Sequence, residues 1–417
     1  MRRLSRSLTL TATALLAFAA LPLEAHAAPP APPAASPPAA TPASQEPAFA
    51  PADSVTDVRT RLPRPTGPYA VGRDSLHLVD TGRPDPWVPE AGARELMVEM
   101  YYPARRGTGR PARYTTAEEA RLLLEAYGMA GAFPPETLGG TAVHGRVAAQ
   151  PMRSVPGRHP LVVLSPGFGA PRYTLTGLAE DLASRGFVVA AVDHAYESAG
   201  TAFPGGRMLT CVACEKVRTG EDRDVLVRGR GDDVSFVLDR LTGPRPAWRH
   251  ATMIDPRRIG MAGHSIGGAS AAATMAGDRR VRAGINMDGS FGSSAVPADG
   301  LDGRPFLMLG THDGTHLPGG ADTSWDEAWD RLDGWKRWLT VAGSTHYSFS
   351  DLPAFLDQLG LPQPGSDGGR PPLPGVRALE IARAYTAAFF DAHLRCVPQP
   401  LLRRPSAGYP EVSFHQP

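Results

Sequence analysis

Short apolar runs alternating with amphipathic stretches set the plan of this chain. Runs at 75–79 and 96–102 predict two strands that open the sheet in antiparallel fashion. One helix is expected over 117–127, flanked by Gly and Pro, inside a stretch from 105 to 157 with no other regular pattern. From residue 161 strand and helix alternate. Strands are expected at 161–165, 187–192, 259–262, 283–287, 306–309 and 338–341, and helices at 175–184, 232–241, 269–275, 325–332 and 378–393. Most of these strands are apolar along their whole length. Such strands are covered on both faces, so an α/β architecture with a mostly parallel central sheet and helices on both sides follows.

The ends of the chain modify that plan. Arg2, Arg3 and Arg6 precede an apolar run from Leu8 to about Leu23, and Ala25-His26-Ala27 follows. This order of charge, apolar run and small residues predicts a secretory signal peptide over 1–27, and hence a secreted, extracellular protein. Residues 28–55 read as a Pro/Ala-rich disordered linker, since nine of the 24 residues from Ala28 to Pro51 are proline, which has no amide donor. Residues 56–417 are then the catalytic domain. Formal net charge is +1, which gives no reason to expect nucleic acid as a partner. Cys211, Cys214 and Cys396 suit one structural disulfide with a cysteine left over. Trp325, Trp329, Trp335 and Trp338 have the spacing of core residues.

The chemistry centres on Gly263-His264-Ser265-Ile266-Gly267, a G-x-S-x-G segment between an apolar strand and an alanine-rich helix. That context is the nucleophile elbow of the α/β-hydrolase fold, with Ser265 raised at a helix N-terminus. Serine needs a base and an orienting acid, which follow it in that order in this fold. His346, in a loop after the last parallel strand, is the expected base; His312 and His316 are its rivals, and His393 falls in a helix. Two acids are open. Asp288 ends the strand after the elbow helix, and Asp313 follows the next strand. The oxyanion donors expected are the backbone amides of Ile266 and of Phe168, the latter between Gly167 and Gly169. No metal-ligand spacing is present, and no cofactor or metal is expected.

The chain from about residue 65 to 394 resembles the plasma-type platelet-activating factor acetylhydrolases and their bacterial lipase-like relatives. The likeness lies in Thr66-Gly67-Pro68-Tyr69, Tyr101-Tyr102-Pro103-Ala104, Gly167-Phe168-Gly169, the elbow, Asn286-Met287-Asp288-Gly289 and Gly343-Ser344-Thr345-His346. It implies hydrolysis of a small-molecule or lipid ester through an acyl-enzyme without a metal, with transient contact with lipid surfaces, and it favours Asp288 as the acid. Ser165-Pro166 stands where the animal enzymes resemble Ser-His-Gly. Streptomycete lipases and cutinase-like polyester hydrolases are similar around the elbow, and they would favour Asp313. A contrasting expectation is an exported binding protein that keeps the fold without activity.

Overall fold

The structure is a computed structural model that describes residues 58–152, 159–293, 295–363 and 371–417. The expected signal peptide and linker lie outside the described residues. Two long strands open the fold, β1 (Ala70–Pro84) and β2 (Ala93–Ala104), paired antiparallel in the register Leu78↔Leu96. Short strands β3 (Arg110–Pro111) and β4 (Gly145–Val147) extend the sheet beside β1. Between them lie helices α1 (Ala117–Ala126) and α2 (Pro135–Gly139). Helix α1 starts at a capping box in which Thr116 and Glu119 satisfy each other's backbone amides.

The parallel core follows. Its strands are β5 (His159–Ser165) and β6 (Val188–His194), with α3 (Thr176–Ser184) between them. A small hairpin, β7 (Thr201–Phe203) and β8 (Arg207–Leu209), leads through α4 (Ala213–Lys216) into the long α5 (Gly220–Thr242). Next come β9 (Ile254–His264), α6 (Ile266–Gly277), β10 (Val281–Met287), β11 (Phe306–Thr311), α7 (Ser324–Arg331) and β12 (Lys336–Val341). Helices α8 (Leu352–Leu359) and α9 (Gly375–Arg395) precede the antiparallel edge strand β13 (Val412–His415). The sheet runs β13-β12-β11-β10-β9-β5-β6-β2-β1-β4-β3, and β6, β5, β9, β10, β11 and β12 are mutually parallel.

Successive side chains on a strand face opposite sides of the sheet. Val162 and Leu164 accordingly pack in one apolar cluster with Leu178 of α3 and Phe389 of α9. Val163 packs in the other, with Val237 of α5, Met275 of α6 and Trp325 of α7. This is why the core strands carry no polar alternation. A third cluster joins Leu123 and Leu124 of α1, Leu138 of α2 and Phe355 of α8. It is built largely from the region between 105 and 157 whose pattern was irregular in the sequence.

One polar cluster is buried in the apolar layers. Arg94 is 1% exposed and reaches Asp85 at 2.8 Å, Glu197 at 2.7 Å and Asp233 at 2.8 Å. Without that guanidinium Asp85 would be left buried with no ion-pair partner among the described residues, and Glu197 and Asp233 would keep only Arg230 and Arg83 as guanidinium partners. Arg94→Leu should therefore cost about 3–5 kcal/mol of folding free energy. Replacing the exposed Arg279, 3.3 Å from Asp302, should cost under about 1 kcal/mol. Urea unfolding of the two variants measures the difference.

Candidate active site

Strand β9 ends at His264 and α6 begins at Ile266, leaving Ser265 alone to make the turn, with φ 56° and ψ −129°. That backbone is strained for any residue with a side chain, and the neighbours show how it is tolerated. A Cβ on Gly263 would lie 2.1 Å from the Gly267 carbonyl carbon. One on Gly267 would lie 2.1 Å from the Ser165 carbonyl oxygen. Only hydrogen fits at either position. Asn286 holds the next loop down by exchanging two 2.8 Å bonds with the Gly289 backbone, donating from Nδ2 and accepting at Oδ1.

The parallel register brings the ends of β9, β10 and β12 to one edge of the sheet. Asp288 follows β10 and is 2% exposed. His346 follows β12 and is partly exposed. His346 Nε2 lies 3.0 Å from Ser265 Oγ, and its Nδ1 lies 2.7 Å from Asp288 Oδ2. The carboxylate accepts, so Nδ1 carries the hydrogen and Nε2 is left to accept from the serine hydroxyl. Asp288 Oδ1 accepts from the Thr311 amide at 2.6 Å. Burial pushes the Asp288 carboxyl up, but His316 and His346 outweigh burial and hold it well below the usual range. Sequence reasoning did not assign a role to His264. Its Nε2 donates to the His346 carbonyl at 2.7 Å, and burial together with His346 keeps its pKa down at about 3. It stays neutral and ties the elbow to the histidine loop.

Phe168 lies on the loop after β5, and Ile266 is the first residue of α6. Neither backbone amide has an acceptor among the described residues. The Cβ direction of Gly167 ends 3.4 Å from Ser265 Cβ, so this loop passes directly over the elbow. It is held from behind. Arg230 donates to the Pro166 carbonyl at 2.6 Å and to Glu197 at 2.7 Å, and the Glu197 carbonyl accepts from the Gly169 amide at 3.0 Å. Ser165 Oγ lies 3.1 Å from His194 Nε2, whose Nδ1 meets Asp233 at 2.8 Å. All three are buried, so this second serine–histidine–aspartate chain is closed to substrate.

The other sequence candidates fall elsewhere. Asp313 is exposed and accepts from the Thr315 amide at 2.8 Å, the pattern of a turn residue. His312 bonds Thr340 at 2.8 Å, and His393 packs at a tilt against Trp335 with ring centroids 4.5 Å apart. His316 reaches neither Ser265 nor His346; its Nδ1 stands 2.9 Å from Asp288 Oδ1. Cys211 and Cys214 form a disulfide, and Cys396 is free and exposed. Trp325 and Trp338 are fully buried, and Trp329 and Trp335 pack at the edge of the core. Among the described residues no group of histidine, cysteine, aspartate and glutamate side chains could hold a metal ion, and no helix is long and apolar enough to cross a membrane. An open cleft of about 570 Å³ begins at Ile266 and is lined by Arg223, Val227, Ser290 and Phe291.

His316 also carries a pH signature. Burial lowers its pKa, but Asp288 and Asp322 prevail and raise it to about 9, against about 6.5 for an unfolded imidazole. A raised folded pKa stabilises the fold fully below the unfolded value and loses that effect as pH rises through the folded one. Stability should therefore decline from about pH 6.5 to pH 9, and His316→Gln should flatten that decline. Urea midpoints measured across the interval test this.

A model of the family described as platelet-activating factor acetylhydrolase, isoform II, matches residues 55–205. A protein of Arthroderma benhamiae named probable 1-alkyl-2-acetylglycerophosphocholine esterase is 32% identical over 384 residues, covering 85% of this chain and 93% of the fungal one. The platelet-activating factor acetylhydrolase of Cavia porcellus is 26% identical over 326 residues, covering 70% of this chain and 69% of its own. The solved ferulic acid esterase of Streptomyces cinnamoneus superposes with a TM-score of 0.74 at 45% identity, covering 86% of this chain and 99% of that one. The chain belongs to the platelet-activating factor acetylhydrolase family, has the α/β-hydrolase fold, and is a carboxylic ester hydrolase.

Proposed function

We propose that the protein is an exported serine esterase that works through an acyl-enzyme, with Ser265 as nucleophile, His346 as base and Asp288 as the orienting acid. The hydrogen-bonded chain from Ser265 Oγ through His346 to Asp288 carries this reading. As Ser265 Oγ attacks the ester carbonyl, its proton passes to His346 Nε2, and the Asp288 carboxylate stabilises the imidazolium. The carbonyl oxygen becomes an oxyanion facing the amides of Phe168 and Ile266, which have no other acceptor among the described residues. Collapse of the tetrahedral intermediate breaks the bond to the alcohol, which takes the proton from His346. Water then repeats the cycle: it gives its proton to His346, adds to the acyl carbon and releases the carboxylic acid and free Ser265. Export rests on the basic, apolar and small-residue order of residues 1–27.

The substrate we favour is an ester with an aromatic acyl group of the ferulate type. Its support is the 45% identity to the Streptomyces cinnamoneus ferulic acid esterase over nearly all of that chain. The second reading, an acetyl ester of an alkyl glycerophosphocholine, is favoured by the name of the fungal relative. Steady-state kinetics on methyl ferulate, on an alkyl acetyl glycerophosphocholine and on p-nitrophenyl acetate separate them. Methyl ferulate should give a kcat/KM at least about 10-fold above the phospholipid, the equivalent of about 1.4 kcal/mol in the transition state; the reverse order establishes the second reading. Asp288→Asn should lose about 10⁴-fold in kcat and Ser265→Ala about 10⁶-fold, on every ester. Asp313→Asn should stay within about 3-fold of wild type, as an exposed turn residue hydrogen-bonded to neither Ser265 nor His346 should. A damaging Asp313→Asn would instead make Asp313 the acid.

A further inference from the structure

We infer that His316 is a positioning residue for the reaction, clamping the far edge of the Asp288 carboxylate while His346 works at the near edge. The inference rests on the reading of Asp288 as the acid. Asp288 is bonded on both oxygens, Oδ2 to His346 Nδ1 at 2.7 Å and Oδ1 to the Thr311 amide at 2.6 Å, and His316 Nδ1 stands 2.9 Å from the same Oδ1. The other nitrogen of His316 faces Asp322 Oδ2 at 3.5 Å. That oxygen is buried and has no hydrogen bond among the described residues, so the imidazolium opposite it is its counter-charge. An imidazole between two carboxylates binds its proton tightly. The ring is 6% exposed, which would be costly for a charge without both partners.

The surroundings are shaped to hold that ring. His316 stacks on Trp325 with centroids 4.5 Å apart, and its carbonyl accepts from Trp338 Nε1 at 2.9 Å. Trp325 Nε1 donates to the Gly289 carbonyl at 2.9 Å, one residue beyond Asp288. A Cβ on Gly310 would press on His316 Cβ at 3.1 Å and on Asp288 Oδ1 at 3.3 Å. Thr311 Oγ1, 3.2 Å from His316 Nδ1, completes the seat. The charged groups facing His316 are thus Asp288 from the loop after β10 and Asp322 from the segment before α7. Among the described residues no third ion-pair partner reaches it.

The consequence is electrostatic. The positive ring beside Asp288 draws on carboxylate charge that would otherwise act on His346 alone. It also fixes the carboxylate plane, and with it the His346 tautomer. Removing that charge while keeping a donor should leave kcat only modestly reduced.

The test is the pH profile of kcat/KM on p-nitrophenyl acetate for wild type, His316→Gln, Asp322→Asn and Ser265→Ala, using the full mature chain. His316→Gln should move the midpoint of the acidic limb upward by about 0.5–1 pH unit. Asp322→Asn leaves the His316 proton held by Asp288 in the acidic range, so it should not raise the midpoint. If His316→Gln does not fold, His316→Asn, measured in the same way, decides. An acidic limb that stays in place in a folded variant, even one with lowered kcat, overturns the inference and leaves His316 as packing. An unmoved limb in folded His316→Gln, together with loss of activity in Ser265→Ala, would sink the His316 role alone; an active Ser265→Ala would sink the underlying mechanism.

Discussion

Everything at the site depends on one backbone constraint, the turn at Ser265. With φ 56° the serine cannot lie on the strand or in the helix, so its hydroxyl stands clear of the sheet edge at the start of α6. The strain is tolerated because β9 and α6 approach each other with no side chain between them, at Gly263 and Gly267. The same close approach brings the Ser165 carbonyl against α6 and so carries the loop 165–169 over the elbow.

The remaining groups reach the serine by register. Parallel pairing of Met287 with both His264 and Leu309 sets Asp288 beside the elbow, and pairing of Thr311 with Val341 sets the His346 loop above it. Each is reinforced from a second layer: Asn286 on the Asp288 turn, His264 on the His346 carbonyl, and Arg230 on the Pro166 carbonyl. That layer is polar and buried, with Arg94, Asp233 and Glu197 continuing it into the sheet. Apolar packing gives the sheet most of its stability, whereas the hydrogen-bonded second layer fixes angles that apolar contacts would leave loose.

The sheet was legible in the sequence because its strands are apolar on both faces, and the elbow because its glycines and serine stand at a strand–helix junction. What escaped was polar or short. Helix α5 was expected over 232–241 but begins at Gly220. Its first half reads as polar and glycine-containing, because its cap is the exchange between Thr219 and Asp222 and because Arg230 is buried for an ion pair. A hydrophobic period cannot register a buried arginine. Helix α8 and strand β13 were missed for different reasons. The first carries a proline at its second residue, and the second is a four-residue edge strand formed by pairing with β12. At the site, spacing left Asp288 and Asp313 both open, since both follow strands. The structure separates them by burial: Asp288 is enclosed beside two histidines, whereas Asp313 caps its own turn in solvent. His316 stood out in the sequence only as a rival base. Its contact with the far side of the acid depends on the ring seat built by Trp325 and Trp338, which no local motif encodes.

The most direct measurement is covalent. The protein, treated with a fluorophosphonate ester that resembles the tetrahedral intermediate, is digested and its peptides are weighed. Stoichiometric label on the peptide containing Ser265, rising in step with loss of esterase activity, is the result this account predicts. Label on a different residue, or full inhibition with Ser265 unmodified, would contradict it.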